Sequence, residues 1–308
     1  MGTPDLAAVS LADLLREPHL QVVGVVTQPD RPKGRELKPT PSPVKRVALQ
    51  AGLPVLQPEK ARDATFIAEL GAFQPELIVV AAFGQILPRA ILDLPRYGCL
   101  NVHTSLLPQY RGAAPIQWAI ANGDTETGVT IMKMDAGMDT GDILTQRSTP
   151  ILPEDNGQTL HDRLAQLGAK LLMHTIPDYV AGKIQPRQQD SAFATHAPKI
   201  KKENGLIDWT LPATHLWNRL RAFTPWPGAF TFLPAQPRPR LLKIWKAEPL
   251  RTGANEPGHL QAPDKDGIVV GCGAGALKIL ELQLEGGRRM TAAEFLLGHP
   301  LVPGQRLG

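Results

Sequence analysis

The first half of the chain alternates between two patterns of hydrophobic and polar residues. Nearly unbroken apolar runs cover 20–26 and 77–83, as in strands that are buried on both faces. Apolar residues that recur every three or four positions predict helices after Thr3, which can cap the first of them, and over 42–51, 64–73 and 159–182. Strands that alternate with helices predict an α/β domain with a doubly wound, mostly parallel sheet.

The pattern changes after residue 204. Short stretches of alternating apolar residues, separated by Gly and Pro turns, predict strands near 229–233, 241–247, 268–272 and 276–284. Such a series is typical of a small β-barrel, and the six aromatic residues between 209 and 232 are expected to fill its core. An aperiodic, lysine-containing stretch precedes it, so we predict a first domain over 1–188, a linker over 189–204 and a second domain over 205–308.

Composition agrees with a two-domain globular protein. The chain has 308 residues, of which 43% are hydrophobic, and its two cysteines are too few for a disulfide framework. It has no run of eighteen apolar residues, and its N-terminus lacks a basic region followed by an apolar core. We therefore expect a cytoplasmic protein without membrane contact. It opens at MGTPDLA, where this fold class ordinarily has a buried strand, so we expect the first strand to be either nearly absent or missing from this version of the sequence.

Positive charge is concentrated in two places. The net charge is +4, divided as −2 over 1–198 and +6 over 199–308. The proline-rich loop 28–46 carries six Lys and Arg against two acidic residues. This asymmetry favours a polyanionic partner, although similar excesses occur on surfaces that bind nothing. The sequence contains neither GxGxxG nor a Walker motif, which argues against dinucleotide and nucleoside triphosphate ligands.

The segment 99–112, CLNVHTSLLPQYRG, carries the strongest candidate chemistry. Asn101 and His103 are two residues apart, so in a strand they project from the same face. Farther along, Asp135, Asp139 and Asp142 crowd a Gly-containing loop. An amide, an imidazole and a carboxylate in one cleft suit acyl transfer. A purely structural interpretation is open at this point, because strand-end histidines and Asp-Gly turns are common in cores and loops.

Several motifs resemble the folate-dependent formyltransferase family: GTPDLA, PSPVK, AAFGQILP, NVHTSLLPQYRGAAPIQWAI, MDAGMDTGDIL and RAFTPWPGAF. The resemblance implies a Rossmann-like formyltransferase domain followed by an OB-like domain. It also implies catalysis by Asn101, His103 and Asp139, 10-formyltetrahydrofolate as the formyl donor, and no metal. We expect the pterin of the donor to bind against the backbone of 83–88 and of the loop 135–142, where exposed main-chain groups can bind its donor and acceptor edge. The predicted folate residues are Phe83, Gly84, Gln85, Ile86, Leu87, Ser105, Leu106, Leu107, Pro108, Asp135 and Asp142.

The basic loop and the C-terminal domain are similar to those of the family members that formylate methionyl initiator tRNA. The resemblance then implies tRNA contacts by Arg35, Lys38, Lys199, Lys201 and Lys202, in a chain that we expect to be a monomer. Two alternatives are open. The same donor could serve a small amine, such as an amino sugar or a purine precursor, which needs no basic surface. The other alternative is an RNA-binding protein that keeps the fold but catalyses no reaction. The presence of all three of Asn101, His103 and Asp139 argues against it.

Overall fold

The computed structural model describes residues 1–33, 38–251, 256–261 and 267–308, with the backbone alone at Lys33 and Lys38. The chain divides into two compact units. The first unit comprises Met1–Pro115, Glu126–Pro150 and Leu160–Pro198, and the second comprises Ile116–Thr125, Ile151–Thr159 and Lys199–Gly308. The main division therefore falls inside the predicted linker 189–204, while the two short inserted segments were not predicted. The predicted boundaries at 188 and 205 stay a prediction.

Short strands and longer helices alternate through the first two-thirds of the chain. The strands are β1 (Val25–Val26), β2 (Arg31–Lys33), β3 (Lys38–Thr40), β4 (Val55–Leu56), β5 (Ile78–Val80), β6 (Cys99–His103), β7 (Arg111–Gly112), β8 (Glu126–Lys133), β9 (Ile143–Pro150) and β10 (His196–Ala197). The helices are α1 (Asp5–Arg16), α2 (Pro43–Gln50), α3 (Ala64–Ala72), α4 (Arg89–Leu92), α5 (Pro115–Asn122) and α6 (Gly157–Val180).

The first unit is a Rossmann-like α/β domain, as predicted, with one difference in strand direction. β5 and β6 are parallel and so are β1 and β4, whereas β8 runs antiparallel to both β6 and β9. β8 and β9 are joined by the short connection 134–142, which suffices for an antiparallel pair but not for the crossover that a parallel pair needs. Because β9 returns to the direction of β6, β8 is the one reversed strand among β5, β6, β8 and β9, and the connection that follows β8 carries Asp139.

The beginning of the chain lies between β1 and β5. The Met1 ammonium donates to the Val79 carbonyl (2.6 Å), and the Gly2 N–H donates to the Val26 carbonyl (2.9 Å). Burial lowers the pKa of the Met1 ammonium to about 6. Of the predicted strand 20–26, only β1 is paired with another strand. The rest borders a largely apolar cavity of about 740 Å³, whose other lining residues include Met1, Leu11, Phe73 and Leu77.

The first helix begins at Asp5, one residue later than expected if Thr3 were its N-cap. Pro4 is the N-cap of α1 and makes no side-chain capping bond. The Thr3 hydroxyl instead accepts a hydrogen bond from the Gln28 N–H (3.3 Å), so its capping prediction is wrong. The Ser42 hydroxyl does cap α2, where it accepts from the Lys45 N–H (3.0 Å).

The second unit contains the predicted small β domain. Its elements are α7 (Ala213–Ala222), β11 (Ala229–Leu233), β12 (Arg240–Leu250), β13 (Ile268–Gly271), β14 (Ala276–Leu284), β15 (Met290–Thr291) and α8 (Ala292–Gly298). The strands form a curled antiparallel sheet in the order β11-β12-β14-β13, with β15 paired to β14. Trp209, Phe223 and Phe230 are buried, in agreement with the prediction that these aromatic residues form core, while Trp226 is 60% exposed.

Across the described ranges, no helix has both the length and the apolar character needed to cross a bilayer.

Candidate active site

Strand β6 presents the amide and the imidazole from one face. Leu100 and Val102 are buried in the core, so the alternate residues Asn101 and His103 project to the opposite side. β6 is held on both edges, by β5 and by β8, which fixes the direction of both side chains. The His103 side chain is only 6% exposed.

The carboxylate comes from the connection between β8 and β9. Asp139 adopts a left-handed backbone conformation with φ of 54°, which is uncommon for a residue with a side chain. Two residues later, Gly141 lies so close to the Lys133 carbonyl that any side chain would collide with backbone. The tight turn that this contact produces directs the Asp139 carboxylate inward, and the carboxylate is 16% exposed.

The two remote segments meet at Asp139. Its Oδ2 accepts a hydrogen bond from the Gly112 N–H (2.8 Å) and lies 3.7 Å from His103 Nδ1. Its Oδ1 accepts a longer bond from Asn101 Nδ2 (3.4 Å). The backbone around Gly112 requires glycine, because a Cβ there would lie 2.7 Å from the Ala197 carbonyl oxygen. The amide, imidazole and carboxylate thus form one cluster within the first unit.

A backbone carbonyl determines which nitrogen of His103 can exchange a proton. Nε2 lies 3.0 Å from the Tyr110 carbonyl oxygen, which can only accept a hydrogen bond. Nε2 therefore carries a hydrogen, and the exchangeable proton is the one on Nδ1, the nitrogen that faces Asp139. When Nδ1 is protonated, the imidazolium donates at Nε2 to Tyr110 and presents Nδ1–H toward the carboxylate.

A cavity of about 370 Å³ opens beside the Asp139 loop. It is large enough for a bicyclic aromatic ligand, and it is bordered by the start of that loop and by the region of α4. Its lining residues are Arg89, Leu92, Asp93, Pro95, Arg96, Gly98, Lys133, Met134, Asp135 and Ala136. The sequence motifs pointed to Asp135 but not to the residues around α4, because contacts between α4 and the loop are not visible in local spacing.

Comparisons with known proteins give the family. The formyl transferase model matches residues 2–176 and the model of its C-terminal domain matches 199–300. Methionyl-tRNA formyltransferases of Citrifermentans bemidjiense and Geobacter metallireducens are 52% and 51% identical over 308 residues, covering all of this chain and 95% and 97% of those proteins. The chain belongs to the methionyl-tRNA formyltransferase family. The fold is also similar to an N-formyltransferase from Helicobacter canadensis, solved with folinic acid and dTDP-3-aminofucose, at 19% identity and a TM-score of 0.64 over 90% of this chain and 97% of that one.

Within this family framework, the predicted folate residues of 83–87 separate into two groups. Phe83 and Leu87 are buried in the core of the first unit. Both ends of the Gln85 amide bind backbone, since Oε1 accepts from the Ala61 N–H (2.7 Å) and Nε2 donates to the Pro58 carbonyl (3.3 Å). Gly84 and Ile86 are exposed, Ile86 by 80%, so they are the members of this segment able to contact a ligand.

The predicted folate residues of 105–108 are largely engaged in the fold. Ser105 is buried, and its hydroxyl donates to the Gln109 carbonyl (2.6 Å). Leu107 is buried as well, and its N–H donates to the Thr130 hydroxyl (3.1 Å). Leu106 and Pro108 are half-buried. This segment holds the end of β6 in place, and its contact with the donor stays a prediction.

The two outer aspartates of the loop differ from Asp139. Asp135 Oδ1 accepts from the Gly137 N–H (3.0 Å) and from the Thr140 hydroxyl (2.7 Å), so this carboxylate shapes the turn. Asp142 is half-buried, and its carbonyl accepts from the Lys133 N–H (2.8 Å). Among the described residues, His, Cys, Asp and Glu do not form a group of three that could hold a metal ion.

The predicted tRNA residues are placed only in part. Arg35 lies outside the described residues, and Lys38 is described by its backbone, as the first residue of β3. The basic loop is a two-stranded antiparallel ribbon at this point, since β2 pairs with β3. In the second unit, Lys199, Lys201 and Lys202 are all exposed.

Gln189 is a buried residue of the site that lies in the predicted linker 189–204. It is only 7% exposed, and its side chain contacts both Arg111 and the Asp139 loop. No local pattern marks it, because it is 50 residues from Asp139 and its neighbours are polar.

Proposed function

We propose that this chain transfers the formyl group of 10-formyltetrahydrofolate to the α-amino group of methionyl initiator tRNA at the cluster of Asn101, His103 and Asp139. The observation that carries the proposal is the convergence of these three side chains on one point of the first unit, from segments that are remote in sequence. Family membership supports formyl transfer as the reaction.

The residues present suit a formyl donor. The Asn101 amide has two N–H groups, and only one of them has a partner in the part of the chain that the structure describes, namely Asp139. The second N–H is available for a carbonyl oxygen. The donor supplies a formyl group activated by its attachment to nitrogen. The cavity beside the Asp139 loop is the site that we propose for its pterin, and it offers five charged side chains as well as the apolar surface of Leu92, Met134 and Ala136.

Asn101 and His103 stabilise the negative charge that develops during transfer. When the neutral amine attacks the formyl carbon, the carbonyl oxygen becomes an oxyanion. The second Asn101 N–H donates a hydrogen bond to it, and the positive charge of the His103 imidazolium, whose Nδ1–H faces Asp139, stabilises it. Asp139 stabilises the charged imidazole across 3.7 Å and receives the proton released by the amine. As the carbonyl reforms, Asp139 passes that proton to the leaving nitrogen and returns to the carboxylate form, so the proton count balances.

Basic residues of both units form the proposed tRNA contacts. Arg35 and Lys38 of the basic segment 28–46, together with Lys199, Lys201 and Lys202 after the first unit, can neutralise phosphates. The +6 charge of 199–308 supports an RNA partner, because it attracts a polyanion. A small amine substrate would not be bound more strongly by this charge. Acting on tRNA would place the enzyme in the cytoplasm, and we retain the prediction of a monomer, which light scattering of the purified protein tests.

One incubation distinguishes the two candidate substrates. The protein is mixed with donor labelled in the formyl carbon, a pool of aminoacylated tRNAs and an amino sugar, and the labelled product is identified. We expect label on methionyl initiator tRNA. Label on the sugar with none on tRNA would transfer support to the small-amine alternative, and absence of label on either acceptor would contradict the proposed reaction.

A further inference from the structure

Both the carboxylate and the backbone carbonyl of Asp139 are held by hydrogen bonds. The contacts that hold them lead back to two adjacent residues, Arg111 and Gly112. The Gly112 N–H binds the carboxylate of Asp139 (2.8 Å). The side chain of the preceding residue, Arg111, reaches the main chain of Asp139 through one intermediate, Gln189. We propose that Gln189, oriented by Arg111, is a positioning residue that sets the Asp139 carboxylate against His103. This inference rests on the proposed function.

The Gln189 amide uses all of its hydrogen-bonding capacity. Its Nε2 donates to the Asp139 carbonyl (2.8 Å) and to the Gly141 carbonyl (2.7 Å). Its Oε1 accepts from Nε and Nη2 of Arg111 (3.0 and 2.9 Å). Two donors and two acceptor positions are therefore occupied, and both side chains are buried, Gln189 at 7% and Arg111 at 6% exposure.

Arg111 decides the orientation of this amide. If the amide rotated by half a turn, its NH2 would face the guanidinium and its oxygen would face two carbonyl oxygens, so four attractive contacts would become four repulsive ones. In a buried site such contacts are costly, because water cannot replace the lost partners. The buried guanidinium thus forces Nε2 toward the loop.

The carbonyls that Nε2 binds are the ones that define the turn. Asp139 has a left-handed φ of 54°, and Gly141 lies against the Lys133 carbonyl, so the loop is held in a conformation that local preference does not favour. A contact from outside the loop is needed to stabilise it, and Gln189 makes that contact with both flanking carbonyls.

The segment that carries Gln189 is itself anchored to the sheet. Arg187 and Ile143 exchange two backbone hydrogen bonds (2.8 and 2.9 Å), which fixes this segment beside the end of the loop. On the other side, the Arg111 N–H donates to the Thr195 carbonyl (2.8 Å) within the pairing of β7 and β10. The hydrogen-bonded pair Arg111 and Gln189, which we call the clamp, is therefore anchored to the backbone on both sides. Because the clamp is fixed, it can hold the Asp139 backbone in one position.

The test is a double-mutant cycle between Gln189 and Asp139. Gln189→Glu keeps an oxygen that accepts from Arg111. It replaces the NH2 group, which donates to the Asp139 and Gly141 carbonyls, by an anionic oxygen that repels them. We expect it to lower kcat 10- to 100-fold, with the KM values for donor and tRNA within about two-fold of the wild type. In an Asp139→Asn background the same change should cost less than three-fold, because its effect passes through the carboxylate. Gln188→Glu, at an exposed neighbour, should leave kcat unchanged in both backgrounds.

Equal losses of kcat in both backgrounds, or no loss in the wild-type background, would overturn the inference. Should Gln189→Glu melt too early to assay, Arg111→Lys provides the second route. It keeps the charge but removes the two-pronged contact, and the same non-additivity with Asp139→Asn is expected. If the wild type is active and the losses of kcat in the double mutant are additive, only the positioning role of Gln189 is rejected. If the wild type formylates none of the aminoacylated tRNAs, the proposed function itself is rejected.

Discussion

Asp139→Asn tests the electrostatic role of the carboxylate with little change in shape. The amide oxygen can retain the hydrogen bond from the Gly112 N–H, so the loop should keep its conformation. What is lost is the negative charge 3.7 Å from His103 Nδ1 and, with it, the long hydrogen bond from Asn101 Nδ2 (3.4 Å), which an NH2 group cannot accept. The substitution therefore tests the electrostatic support of the site while the anchor on Gly112 is kept.

The magnitude follows from the distance and the surroundings. Two unit charges 3.7 Å apart attract by about 4.5 kcal/mol at an effective dielectric constant of about 20. The side chains of His103 and Asp139 are 6% and 16% exposed, so screening by solvent is weak. Since not all of this energy is specific to the transition state, we expect kcat to fall about 10²- to 10³-fold.

The assay is single-turnover formylation of charged initiator tRNA at saturating donor. Melting temperature and circular dichroism verify that the variant is folded. Asp178→Asn is the matched control, because it removes a carboxylate that is 51% exposed and paired only with Lys183 among the described residues. A rate for Asp139→Asn within three-fold of the wild type would refute the electrostatic reasoning.

Three further changes test other parts of the structure. Gly141→Ala places a methyl group against the Lys133 carbonyl and should lower the free energy of unfolding by about 1–3 kcal/mol in a denaturant titration, so an unchanged midpoint would contradict the packing of the turn. Burial raises the pKa of Cys99 to about 12 and that of Cys272 to about 11, so native protein should resist alkylation at pH 8.5, and the free energy of unfolding should fall as the pH rises above about 9, because unfolded thiols ionise first. Rapid labelling of the folded protein would contradict this. Replacing Lys199, Lys201 and Lys202 together by Ala should raise KM for tRNA and reduce the salt dependence of binding by up to about three counterions, with KM for the donor as an internal control. An unaltered salt slope would remove these lysines from the interface.

The catalytic strand could be predicted from sequence because its signal is local. Asn101 and His103 have the two-residue spacing of a strand face, and the structure places both on the same side of β6. Spacing alone could not choose among the three aspartates of the loop. The choice of Asp139 came from family resemblance, and its physical basis is the left-handed turn that directs its carboxylate inward, while Asp135 binds its own loop.

The features that the sequence did not predict depend on long-range contacts. The reversed direction of β8 does not follow from its pattern, because β8 is buried without interruption from Thr127 to Met132, as a parallel strand would be. Thr3 has the residue type of a helix cap, but the Gln28 N–H occupies its hydroxyl. Gln189 sits in a polar stretch that resembles a linker, and only the folded chain brings it to Arg111 and Asp139.

The central claim is that one imidazole, held between the Tyr110 carbonyl and the Asp139 carboxylate, takes part in formyl transfer. The most direct measurement is the single-turnover transfer rate of His103→Ala, together with equilibrium binding of donor and tRNA. We predict that transfer falls about 10³-fold or more while both dissociation constants stay within about three-fold. Transfer within ten-fold of the wild type, with binding intact, would contradict the assignment of this site.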